Sequence, residues 1–191
     1  MSNPQEVQSA IEAAIEATRQ LFRTKPDYLL TEEDLRCRLF QKFQDHPCLI
    51  QEAKTQDGTL SVPLHAEVRW YGNGRLKCRS DLVALRVGSL KTRNGPFELP
   101  SKGFGFNRFD AVIELKLRRK RGESDNVFIK KIREDVDKLL KVKEQTRDGN
   151  QGAKFYVVVF DRKTNIQNLK RKVKNPFPDD TPMDFFYEPI A

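Results

Sequence analysis

The run "AKFYVVVF", residues 153–160, constrains the fold more than any other stretch of the chain. Its apolar and β-branched side chains favour a strand, and the run leaves neither strand face for water. A strand of this kind needs cover on both sides, which predicts a central place in a sheet with helices packed against it. Two further stretches join it. "DLVALRV", 81–87, is nearly continuous in apolar character, as expected of a strand buried on both faces. "DAVIELKL", 110–117, has period two: Ala111, Ile113, Leu115 and Leu117 form one apolar face, and Asp110, Val112, Glu114 and Lys116 the other. Asp110 stands at the strand's entry and is expected to end the preceding loop.

Helical spacing frames these strands. From Pro4 to about Arg23, Val7, Ala10, Ile11, Ala14, Ile15, Thr18, Leu21 and Phe22 predict a long amphipathic helix. "TKPDYLL" breaks it, and Thr31 restarts helix as N-cap with Asp34 as a capping-box variant and Leu35, Leu39, Phe40 and Phe43 as the buried stripe. Leu64, Ala66, Val68 and Trp70 alternate with His65, Glu67 and Arg69 before Gly72-Asn73-Gly74, a hairpin signal. A two-residue Asn73-Gly74 turn would set Ala66 opposite Asp81, and a three-residue turn would set His65 there with Glu67 on the same face. His65 and Glu67 are otherwise ordinary solvated positions.

Residues 88–109 read as a long loop, in which "GFGF" at 103–106 lacks the Gly-Lys-Ser/Thr of a phosphate loop and is expected to be a flexible turn. Phe128, Ile129, Ile132, Val136, Leu139 and Leu140 mark a later helix, on which Asp135 and Lys138 form either an exposed pair or a pair supporting the site, the exposed pair being expected. Trp70, Phe155 and Tyr156 belong to the core. The sum is a single α/β domain over 1–191: a helical extension at 1–30, a core at 31–160 with a mixed central β-sheet flanked by α-helices, and a C-terminal tail at 161–191.

Composition narrows the function classes. Three cysteines without a CxxC pair and two histidines argue against a zinc site or a disulfide framework. The chain has no apolar run of membrane-span length and no signal-peptide pattern at its start, so a cytoplasmic protein without a membrane partner is expected. The net charge is +8, and residues 116–174 hold 19 Lys and Arg against 8 Asp and Glu. A concentrated positive field suits a polyanion, although a merely solvated basic surface gives the same composition.

Asp81 opens an apolar run, where an unpaired carboxylate is costly. If its strand neighbours 110–117, Asp81 and Glu114 approach each other, and two carboxylates so placed need a divalent cation or a base such as Lys116. The ordered set of helix, hairpin, Asp81 in "SDLVAL", Glu114-x-Lys116 in "VIELKL", helix and strand resembles the PD-(D/E)XK, or restriction-endonuclease-like, nuclease superfamily over about residues 31–160. Ser80 stands where that motif usually has proline, and the interval from Asp81 to Glu114 is long.

The resemblance implies a restriction-endonuclease-like core and metal-dependent DNA endonuclease activity, the hydrolysis of phosphodiester bonds. Asp81 and Glu114, with the carbonyl of Leu115, would hold Mg²⁺, with Mn²⁺ able to substitute, and Lys116 would orient or help deprotonate the attacking water. Many members add a glutamate from the helix before the hairpin. At about 100° per residue, Glu32 falls at about 60° from Leu35, close to the apolar stripe, and Glu33 at about 160°, so Glu32 is expected at the site with Glu33 as fallback. An acidic first turn complementing the helix dipole is the competing account of both. Expected DNA contacts are Arg118, Arg119, Lys120 and Arg121, then Lys130 and Lys131. A homodimer and a subunit of a larger nucleic-acid-processing assembly both remain open, as does a catalytically silent, nuclease-like binding module.

Overall fold

The computed structural model describes residues 3–72, 75–90, 108–146, 150–174 and 183–190. Helix α1 (Pro4–Thr24) begins where Asn3 accepts a hydrogen bond from the Gln5 amide, with Pro4 in the first turn. Its buried row Val7, Ala10, Ile11, Ala14, Ile15, Thr18 and Phe22 follows the expected spacing. Helix α2 (Glu32–Phe43) opens with the full reciprocal cap: Thr31 accepts from the Asp34 amide, and the Asp34 carboxylate accepts from the Thr31 amide. A single-turn helix α3 (Pro47–Ile50) and a small ribbon, β1 (Ala53–Lys54) with β2 (Leu60–Ser61), lead into the main sheet.

That sheet contains β3 (Leu64–Gly72), β4 (Arg75–Leu85), β5 (Phe109–Arg118), β6 (Lys154–Asp161) and β7 (Met183–Pro189), side by side in chain order. The first three run antiparallel to their neighbours and the last three run parallel. Parallel neighbours need a crossover, which helix α4 (Asp125–Gln145) supplies between β5 and β6. The short helix α5 (Leu169–Lys174) lies in the connection from β6 to β7.

The sheet is covered on both faces, as the run 153–160 demands. On one side α1 and α2 pack against Leu82, Ala84, Ala111, Ile113, Leu115, Leu117, Tyr156, Val158 and Phe160. On the other, α4 and α5 pack against Val83, Leu85, Val112, Phe155, Val157 and Val159. Trp70, Phe155 and Tyr156 are buried, as expected. Among the described residues no helix is long and apolar enough to cross a membrane.

Three expectations need correction here. Residues 161–191 are not simply a tail, because 183–189 form β7, the fifth strand. Phe186 packs with the α1 side, while Met183, Phe185 and Tyr187 pack with the α4 side. Glu188 on the same strand accepts hydrogen bonds from Arg19 and Arg23 of α1, which ties the strand down. Asp110 does not end a loop either; it lies inside β5, buried, and accepts a 2.6 Å hydrogen bond from Arg86.

The hairpin takes neither expected register. Ala66 pairs with Leu82 and Val68 with Ser80, which brings Glu67 level with Asp81. A shift between Trp70 and Tyr71 then leaves Lys77 as an extra residue on β4, a bulge that absorbs the difference. The hairpin also turns over at this level. Leu64 faces the α1 side and Val68 the α4 side, although residues four apart on a regular strand share a face; Leu82 and Cys78 behave likewise. Glu67, at φ 54°, carries the reversal in β3. The turn 73–74, the "GFGF" stretch and most of the loop 88–109 lie outside the described residues.

Candidate functional site

The site forms where β4 and β5 stop pairing. The last paired residues between β4 and β5 toward the C-terminal end of β5 are Leu82 and Ile113, so Asp81 comes level with Glu114. Beyond that point β5 continues to Arg118, still paired with β6 on its other edge. Main-chain amides on the vacated edge require acceptors. Asp81 Oδ2 accepts from the Leu115 amide at 2.7 Å, and Glu32 Oε2 accepts from the Leu117 amide at 3.3 Å. Two carboxylates thus replace two rungs of the ladder.

This arrangement draws in both helical layers. From α2 come Glu32, whose carboxylate lies 3.5 Å from Lys116 Nζ, and Arg36, which reaches Asp81 at 3.2 Å and Glu67 at 2.6 Å. Glu33 is largely exposed and touches only Arg36 among the described ion pairs, so Glu32 is the inward glutamate. From α4 come Asp135, 3.0 Å from Lys116 Nζ, and Lys138, in direct contact with Glu114. Asp135 and Lys138 are therefore not an exposed pair. They lie 3.6 Å from each other at the edge of the Val136 and Leu139 stripe, aimed at β5.

Burial sets the electrostatics. Glu114 is 1% exposed; burial pushes its carboxyl well above the ordinary range, Lys138 opposes the shift, and Asp81 adds to it. Burial also raises Asp81, against the Leu115 amide, Lys138 and Arg36. Glu32 is raised by burial against the pull of Lys116. Burial works against both lysine ammoniums too, but Asp135 and Glu32 hold Lys116 above its usual value, and Glu114 does the same for Lys138. Five carboxylates (Glu32, Glu67, Asp81, Glu114, Asp135) face three cations (Arg36, Lys116, Lys138). Adding the rim residues Glu33 and Arg79 leaves the same excess of two negative charges.

Oxygen donors for a hard cation are therefore at hand. Glu114 Oε1 is buried with no hydrogen-bond partner, which fits an acceptor held for something else. Asp81, Glu114 and the Leu115 carbonyl supply the donor chemistry of a Mg²⁺ ion that keeps several waters. Among the described residues no group of three or more His, Cys, Asp or Glu converges as a metal-binding cluster, so protein side chains alone would not fill the coordination sphere.

The expected basic contacts divide. Arg118 is a correction: it is fully buried, held by Asp161 and Asp125, hydrogen bonded to Thr164, and stacked 4.7 Å from the Phe128 ring centroid. A guanidinium so enclosed cannot reach a phosphate. Arg119, Lys120 and Arg121 lie exposed in the turn that follows. Lys163 Nζ donates to the Gly122 and Glu123 carbonyls and braces that turn from behind. A Cβ at Gly122 would stand 2.9 Å from the Arg119 carbonyl oxygen, so the tight turn needs glycine. Lys130 and Lys131 are exposed on α4 and pair with Glu134 and Glu123. His65 stays apart from the site and meets the Val62 carbonyl.

Sequence reasoning missed Arg36, and for Asp135 and Lys138 it preferred an exposed pair over a pair supporting the site. The two α4 residues carried a usable signal, since each directly precedes a stripe residue and they are three apart. Arg36 carried none. No family model, curated protein or solved structure matches the chain, and the chemistry of the site rests on its own residues.

Proposed function

We propose that the chain is a divalent-metal-dependent DNA endonuclease with a restriction-endonuclease-like core. One observation carries the reading: Asp81 and Glu114 lie level across β4 and β5, with Lys116 next on the same face and Glu32 brought to the same strand edge. The element order fits as well, with a helix, antiparallel strands, a helix, and a strand parallel to the one bearing Glu114 and Lys116.

A bound Mg²⁺ would supply Lewis acidity, lowering the pKa of a water and offsetting charge on the phosphate. The protein's share is to position. Asp81 and Glu114 would hold the cation with the Leu115 carbonyl. Lys116, fixed between Asp135 and Glu32, would orient the attacking water by donating to it. Arg119, Lys120 and Arg121 would bind the DNA backbone beside the strand end.

The test is cleavage of plasmid and branched DNA with Mg²⁺ or Mn²⁺ by the wild-type protein, Glu114→Ala and Lys116→Ala. Loss of cleavage by at least about 100-fold in both variants is expected, in line with removal of a charge-stabilising group from an active site. Cleavage untouched by both substitutions would sink the reading. A second reading, a silent nuclease-like binding module, draws on the ion pairs that already engage Glu114 and Lys116. Salt-sensitive DNA binding without metal-dependent cutting of any substrate would select it.

A further inference from the structure

We propose that Lys138 is the resident counter-cation of Glu114, and that its ammonium and a divalent metal ion compete for that carboxylate. The inference rests on the reading of Glu114 as a metal ligand. A carboxylate that is 1% exposed requires compensation. Among the described residues its ionic partner is Lys138, from α4. Lys116, two residues along on the same strand face, is engaged elsewhere, by Asp135 at 3.0 Å and Glu32 at 3.5 Å. The two lysines therefore have separate tasks. Lys116 is clamped for chemistry, and Lys138 neutralises a ligand until metal arrives.

The geometry gives Lys138 somewhere to go. Its side chain is 23% exposed at the end of a flexible four-carbon stem, so it can withdraw without backbone movement. Asp135, one helical turn earlier, lies 3.6 Å from its ammonium and is a second partner already in place. Glu114 Oε1 has no hydrogen-bond partner, so an incoming cation meets a free acceptor on the same carboxylate. Once a divalent ion shares Glu114, like charge repels the ammonium, and transfer to Asp135 relieves that repulsion. Lys138 would then be a positioning residue that sets the metal affinity, with no part in bonding to the substrate.

Mn²⁺ binding to the full chain, followed by calorimetry and by the electron paramagnetic resonance of free Mn²⁺, tests this in wild type, Lys138→Met, Lys138→Arg and Glu114→Gln. Lys138→Met is expected to bind on the order of tenfold tighter than wild type, because the competitor is gone. Lys138→Arg keeps the charge and grips a carboxylate with a planar fork, so it should bind more weakly than wild type. A merely structural lysine would instead weaken binding in both variants. Equal or weaker binding by Lys138→Met, with binding lost in Glu114→Gln, overturns the role of Lys138 and leaves the metal reading standing. No Mn²⁺ bound by any of the four, or binding untouched by Glu114→Gln, overturns both. If circular dichroism shows Lys138→Met unfolded, Lys138→Gln takes its place: tighter Mn²⁺ binding than wild type supports the role of Lys138, and equal or weaker binding overturns it.

Discussion

Glu114 and Arg118 stand four residues apart on one face of β5, and burial has opposite consequences for them. Arg118 is fully compensated by Asp161, Asp125 and Thr164, so its charge serves the fold. Arg118→Met should therefore destabilise the protein by about 3 kcal/mol or more in denaturant titrations, since it strands the buried Asp161. DNA affinity per folded molecule should be unchanged. Glu114, compensated only in part, holds its proton more tightly in the folded chain than in the unfolded one. Proton uptake then favours the folded state, and metal-free stability falls as pH rises from about 4.3, the ordinary Glu value, toward the raised folded value. Denaturation midpoints in chelator over a pH series rising from about 4.5 should show this decline, and Glu114→Gln should flatten it. An equal slope in the variant would assign the effect to other groups.

At the scale of elements, α2 ties stability to the site, because its first turn carries Glu32 and its cap fixes that turn. Thr31→Ala removes the hydroxyl that accepts from the Asp34 amide, costing about 1 kcal/mol. In a chain of this size that lowers Tm by about 2–4 °C in a thermal scan. Cleavage at temperatures well below Tm should fall as well, since Glu32 loses its fixed approach to Lys116. The start of α2 was legible in sequence because capping is local chemistry: Thr31 and Asp34 need only each other. The same holds for the inward angle of Glu32 and the two-faced burial of β6, which follow from periodicity. β7 was less legible, since "PFPDDTP" precedes it and its alternation spans only Met183 to Tyr187. The hairpin register depended on a bulge at Lys77 and a reversal at Glu67, neither of which has a residue signature. Asp135 and Lys138 looked solvated because a boundary position on α4 can face water or a neighbouring strand, and only the packing of α4 on β5 decides.

Across the whole molecule, the mixed α/β architecture places a carboxylate-rich cluster at the end of β5 beside an exposed basic turn, a separation of charge that net composition hides. Arg119→Ala, Lys120→Ala and Arg121→Ala together should weaken DNA binding and reduce the salt slope by about 0.9 for each phosphate no longer neutralised. Affinity measured over a series of salt concentrations checks this, and an unchanged slope would move the interface elsewhere. The site is also written into the main chain through the two amides that donate to Asp81 and Glu32. Those hydrogens are shielded from solvent by side chains that carry charge, unlike the rest of the strand, where carbonyls do the shielding. Exchange with deuterium at Leu115 and Leu117 should thus respond to Asp81→Asn or Glu32→Gln, while Ile113 keeps its protection. Two backbone positions become a clock for the acidic side chains, readable without substrate.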